Sequence, residues 1–210
     1  SAASMRSAMR AATSSGAMTL ADVTARSLAL NSGGLLTATE SSSTEGLTAT
    51  AGQGLSFTDV SAGALSATAT AGDASLTRTS ASGDLSIDVL AGALTAEDAA
   101  AGGDAAATTS GRMEIVRLDV GGTFDAAAGG RLDLQDAAAA QGSLAAVGAL
   151  DVRRLAVDAD LDVDGGAAAT LSDLSVGRDL EVRSAAALDM ERVYAGRASS
   201  LLSGGDAQVE

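Results

Sequence analysis

A pair of apolar residues separated by one position recurs along this chain at nearly constant distance, and few folds can satisfy such a recurrence. One series begins at Met18, Leu36, Leu55, Ala74, Leu94, Met113, Leu132, Leu150, Ala169 and Leu188, at intervals of 18 to 20 residues. Two positions after each stand Leu20, Ala38, Phe57, Leu76, Ala96, Ile115, Leu134, Val152, Leu171 and Met190, and every one is apolar. Spacing of two places both residues of a pair on one side of an extended strand, whereas a helix would need spacings of three and four. Recurrence every 19 residues or so is the signature of a solenoid, in which each circuit of the chain lies on the one before.

A second series falls between members of the first: Leu28, Leu47, Leu65, Leu85, Ala105, Phe124, Leu144, Leu161 and Leu180, spaced 17 to 20. A third is legible in the later half, as Leu118-Asp119-Val120, Leu155-Ala156-Val157, Leu174-Ser175-Val176 and Val193-Tyr194-Ala195, with Ala137-Ala138-Ala139 in register. Three strands per circuit predict an all-β, right-handed parallel β-helix of about ten triangular coils, each about 19 residues. Nineteen residues at roughly 3.3 Å make a perimeter of about 60 Å, and ten coils stacked about 4.8 Å apart make a rod about 50 Å long. Gly, Asn, Asp and Ser between the triplets suit the tight corners, and the complete absence of Pro suits an unbroken ladder. The expected organisation is an incomplete leading coil or frayed end over 1–17, one continuous β-helix over 18–203 and a terminal tail over 204–210, as a fragment of a longer protein.

An independent column supports this register. Asp98, Arg117, Asp136, Arg154, Asp173 and Arg192 precede the third series at intervals of 18 or 19, with alternating sign. Stacking places each charge about 5 Å from an opposite charge on both neighbouring coils, a favourable cross-strand arrangement.

Composition narrows function by exclusion. The chain has no Cys and no His, which removes disulfides, thiolate nucleophiles, histidine triads and Cys/His metal sites. Twenty-seven acids against 13 Arg give a net charge of -14, and only Phe57, Phe124 and Tyr194 are aromatic, so nucleic acid is not an expected partner. No apolar run approaches a membrane span, so no membrane insertion is expected, and Ser1 to Gly16 lacks the apolar core of a signal peptide.

Four features resemble chemical sites. Asp158, Asp160, Asp162 and Asp164 before Gly165 resemble a calcium loop, but the twelfth position from Asp160 is Leu171 where an EF-hand needs Glu, and Leu161 and Val163 are assigned inward. Glu114, Asp133 and Asp151 form an outward acidic column, with Arg112 and Arg131 two residues before the first two, which predicts a salt-bridge lattice. The pairs Thr37/Thr39, Thr48/Thr50, Thr68/Thr70 and Thr77/Thr79 evoke threonine arrays that bind ice, yet they fall on different faces and stop after the early coils. Tyr194 has outward parity. Coils of uniform length leave no inserted loop to wall a cleft, so the chain is read as no enzyme, with no catalytic residue, cofactor site or metal site.

Segments such as Gly83-Asp84-Leu85-Ser86-Ile87, Ala93-Leu94-Thr95-Ala96 and Gly177-Arg178-Asp179-Leu180-Glu181-Val182 resemble the repeats of haemagglutinin-type exoproteins of two-partner secretion. That resemblance implies a secreted or surface-displayed adhesin shaft exported through an outer-membrane secretion partner, with host-cell receptors or glycans reached through the parent protein. The secretion domain of that family and an Arg-Gly-Asp tripeptide are both missing from this chain. A stalk of a contact-dependent growth-inhibition effector and a carbohydrate-active β-helix enzyme are the alternatives. Open strand ladders at the ends of such a rod also predict end-to-end contacts between coils.

Overall fold

The protein is described here by a computed structural model covering residues 10–210; residues 1–9 of the expected leading coil lie outside the described residues. Among the described residues all regular structure is strand, and every strand pairs in parallel with its equivalent one circuit away. The first series stacks as expected, Met18 on Leu36, Leu36 on Leu55, and so on to Ala169 on Leu188. Ala207–Val209 pairs with Leu188–Met190, so the expected tail carries an eleventh coil, one more than the ten anticipated. At the other end, Arg10–Ser14 pairs with Leu28–Ser32.

One coil shows how the sequence turns. Met113–Val120 runs as a single strand with alternating burial, except that Arg117 is skipped in the pairing to both neighbours. Arg117 adopts a left-handed backbone with φ 59°, and this one residue bends the strand into the first and second faces of the coil. Thr123–Ala128 forms the third face after Gly121 and Gly122. The corner after the third face is equally tight: a Cβ on Gly129 would stand 2.3 Å from the Ser110 carbonyl oxygen of the coil below, so no side chain fits there.

The third series runs through the whole rod rather than its later half. Val60, Thr79 and Ala99 stack below Leu118, and Ser61 donates its backbone N–H to the Ser41 carbonyl. Ser41 and Thr79 are buried, at 1% and 0% exposed, and these polar residues hid the column from an apolar pattern search.

One assignment in the second series is corrected. Gly142, rather than Leu144, stacks between Phe124 and Leu161, while Leu144 stacks between Ala126 and Val163. The true intervals, 18 and 19 residues, are regular where the expected 20 and 17 were not. Both residues face inward because they differ by two positions, and the Leu161 side chain fills the space over Gly142, with Cδ1 2.9 Å from where a Cβ would be.

The interior is one continuous aliphatic core from Ala25 to Met190, with Phe57 and Phe124 as its buried rings. Burial of each coil depends on the coils above and below, so cohesion is a nearest-neighbour property repeated along the rod.

Candidate functional site

Chemistry on this molecule must be built from outward residues at strands and corners, because the interior is almost wholly apolar. The left-handed corner organises the most regular array. Among the described residues the non-glycine residues with positive φ are Asp22, Glu40, Asp59, Arg78, Asp98, Arg117, Asp136, Arg154, Asp173 and Arg192, with φ between 48° and 59°. They form one corner column, one per coil, and residues with side chains rarely adopt this backbone unless the surrounding structure imposes it.

The side chains of this column pair in twos. Arg78 grips Asp59 through Nε at 2.6 Å and Nη2 at 2.8 Å, and Arg192 grips Asp173 at 2.5 and 3.1 Å. Arg117 holds Asp98, and Arg154 holds Asp136, through the same two nitrogens. The opposite charges stack on neighbouring coils as expected, and within the column each Arg hydrogen-bonds the acid one coil earlier and not the acid one coil later. The reason is stereochemical: a guanidinium edge uses both oxygens of one carboxylate and closes the pair. The consequence is a two-coil unit of about 38 residues, clasped as Asp59–Arg78, Asp98–Arg117, Asp136–Arg154 and Asp173–Arg192.

Alternation fails at one place. Glu40 follows Asp22 and precedes Asp59, so three acids stack in succession. A hydrogen bond with Asp22 and repulsion from Asp22 and Asp59 raise the Glu40 carboxyl above its ordinary range. The Arg154 guanidinium holds Asp136 down to about 2, and Arg partners likewise lower Asp59, Asp98 and Asp173.

The expected salt-bridge lattice on the first face is present. Glu114, Asp133 and Asp151 stack directly. Arg112 bridges Glu114 at 3.0 Å and Asp133 at 2.9 Å, and Arg131 bridges Asp133 at 2.6 Å and Asp151 at 3.2 Å. Arg153, which the sequence reading did not single out, closes the lattice on Asp151 at 2.7 Å. These six residues line a shallow depression of about 170 Å³ with every charge compensated inside it.

The calcium-like run does not converge. Leu161 and Val163 are buried inward, as expected, and the acids point elsewhere: Asp160 bonds Arg178 at 2.8 Å and Asp162 bonds Arg183 at 3.2 Å. Among the described residues no group of three or more acids is placed to hold a metal ion. The threonine pairs separate as expected, Thr37 and Thr39 on the first face and Thr48, Thr50 and Thr68 on the third, with Thr79 buried in the core. Tyr194 is exposed on the second face.

A further role of the corner acids escaped the sequence reading. The Asp84 carboxylate accepts the backbone N–H of Asp104, and Asp104 accepts that of Thr123. Asp160 and Asp179 do the same for Asp179 and Ala198. These corner acids satisfy backbone donors of the next coil, and Asp recurring before the third-face strands was the signal that could have revealed them.

No helix among the described residues is long and apolar enough to cross a membrane. Comparison with protein-family models, with curated proteins and with solved structures finds no match to this chain.

Proposed function

We propose that this chain is a structural shaft segment of a large bacterial adhesin, secreted or displayed at the cell surface, that holds a binding region away from its anchor. The observation that carries the reading is the unbroken stack of coils of nearly equal length, held together by a continuous core and by charge clasps between coils. Such a stack resists bending because every coil is locked to its neighbours by parallel ladders, and its length grows by about 4.8 Å per coil without any change in cross-section. Resemblance of its triplets to haemagglutinin-type repeats supports export through an outer-membrane secretion partner and contact with host receptors or glycans through other parts of the parent. Lack of Cys suits passage through a pore in an extended state.

The test is made with the parent protein on the bacterial surface. Doubling this segment should lengthen the projecting fibre in electron micrographs by about 50 Å and preserve attachment to host cells, whereas deleting it should shorten the fibre by as much. A fibre whose length ignores the segment would refute the shaft role. Killing of neighbouring cells in place of attachment would favour the growth-inhibition stalk, and turnover of acidic polysaccharide by the isolated chain would favour the enzyme reading.

A further inference from the structure

The stack is not equally cohesive along its length. In the coil of residues 94–112 the inward positions are Leu94, Ala96, Ala99, Ala101, Ala105, Ala107 and Thr109, all buried, and Leu94 is the one large apolar side chain among them. The next smallest complete coil, residues 36–54, has Leu36 and Leu47, and Phe57 covers its Ala38. Across the junction with residues 74–93, large residues meet small ones: Leu76 stacks on Ala96, Leu85 on Ala105 and Ile87 on Ala107. The alanines leave an apolar cavity of about 20 Å³, closed by Leu76, Leu85 and Ile87 on one side and by Ile115, Leu118 and Phe124 on the other. Close-packed interiors have few such voids, and the atoms lining one lose the contacts that a filled core would give. Each methylene missing from a buried contact weakens it about fourfold as an equilibrium constant.

Polar links do not make up the difference. Arg78 is taken by Asp59 and Asp98 by Arg117, so the corner column is open between these two coils. Among the described residues no ion pair crosses this junction, whereas the junctions that follow, as far as Asp173–Arg192, are each crossed by at least one. The side-chain hydrogen bonds that do cross it lie at the rim: Asp73 and Asp84 accept the N–H groups of Ala93 and Asp104, Asp88 and Ser110 accept from Thr108 and Gly92, and Thr109 donates to the Gly92 carbonyl. All but the last are exposed, so water takes over their partners when the coils part. Thr79, whose buried Oγ1 has no partner, stacks on Ala99 at the same junction, and parting returns that hydroxyl to water. We infer that the rod has a weak joint here: the stack parts reversibly between residues 74–93 and 94–112 before any other interior junction opens, leaving two folded halves. The hinge is the corner at residues 90–93, where Gly92 takes φ 147°, a backbone that side chains rarely adopt. Such a joint gives a stiff rod one place to yield, and the same ladder re-forms when it closes. The inference does not rest on the adhesin reading, since it concerns the cohesion of the coils, and its test reads neither fibre length nor attachment.

Amide hydrogen exchange followed by NMR on the whole 210-residue chain tests it. The N–H groups of Ala74, Leu85 and Gly102 donate across this junction, to Ala93, Asp104 and Ala81, whereas Leu55 donates to Asp73 across the junction before it and Leu132 to Ala149 further along. Protection factors of the first three should be lower than those of Leu55 and Leu132 by about tenfold or more. Ala99→Val and Ala107→Val, which add methyl groups to the cavity lining, should each slow exchange of those three amides severalfold and leave Leu132 unchanged. Thr77→Arg touches no core atom and faces Glu97 across the junction, and it should slow them about twofold. Protection that falls smoothly from the middle of the rod to both ends, with no dip at Ala74, Leu85 and Gly102, would overturn the inference. So would a dip that none of the three variants reduces, because cohesion at this junction would then not be its cause.

Discussion

Replacing Thr79 with Val should stabilise this protein, against the usual direction of core substitutions. Thr79 is fully buried in the second-face column between Val60 and Ala99, and its Oγ1 has no hydrogen-bond partner. Val has the same shape, so the backbone ladder and the packing volume stay as they are. What changes is the removal of a hydroxyl that lost its water on folding and found nothing in return, a penalty of about 1 to 3 kcal/mol. For a chain of this size that corresponds to a rise in Tm of about 2 to 4 °C per kcal/mol. Because repeat arrays depart from two-state unfolding, the sharper assay is amide hydrogen exchange at the coils containing Asp59–Ala101. Exchange there should slow by roughly 5- to 150-fold, the factor equivalent to that free energy. Thr77→Val, two residues earlier on the outer side of the same strand, should change stability by less than about 0.5 kcal/mol. Unchanged or faster exchange in Thr79→Val would refute the reasoning, because it would mean that the hydroxyl makes a bond worth keeping.

Ser43 poses the same problem in the column of Ala25 and Ala62, with its Oγ also unpartnered, so Ser43→Ala should raise stability by about 1 kcal/mol in thermal melts. Glu40→Arg would complete the alternation by placing a guanidinium against Asp22, and hydrogen exchange over Met18–Thr58 should slow; faster exchange would count against the pairing rule. On acidification, the lowered acids of the clasps contribute stability that is present above the ordinary carboxylate range and lost as pH falls toward about 2, while Glu40 gains its proton early and acts in the opposite sense. Carboxyl NMR titration should therefore show Asp136 with a midpoint near 2 and Glu40 above a normal glutamate. Deleting residues 94–131 removes two coils and sets Arg78 against Asp136, preserving every remaining clasp, whereas deleting 113–131 alone sets Asp98 against Asp136. The two-coil deletion should melt at the higher temperature of the two despite being shorter, and the reverse order would remove the case for a two-coil unit.

Much of this architecture could be read from the linear chain because a solenoid makes its tertiary contacts periodic. Leu36, Leu55 and Leu132 meet residues about 19 positions away, so the spacing that an inspection of the sequence finds is the spacing of contact itself. The alternating column from Asp98 to Arg192 was legible for the same reason. What periodicity conveys is which residues share a column, and it carries little about direction within one. That Arg117 takes Asp98 and leaves Asp136 to Arg154 follows from a left-handed corner and the two-pronged geometry of a guanidinium, neither of which appears in a count of intervals. The place of Gly142 was obscured because a shift of two residues keeps every side chain on its own side, so an apolar pattern fits both registers and only the stacking on Phe124 and Leu161 separates them. Ser41 and Thr79 were passed over since burial, not hydrophobicity, defines the core column. Leu90 and Val147, exposed at one corner three coils apart, flank a shallow depression over small side chains, a relief that no interval records. Composition and interval thus determined the coil, its length and its stacking, while the partner of each charge and the relief of the surface were decided by the folded backbone, which sets the direction in which each side chain leaves the column.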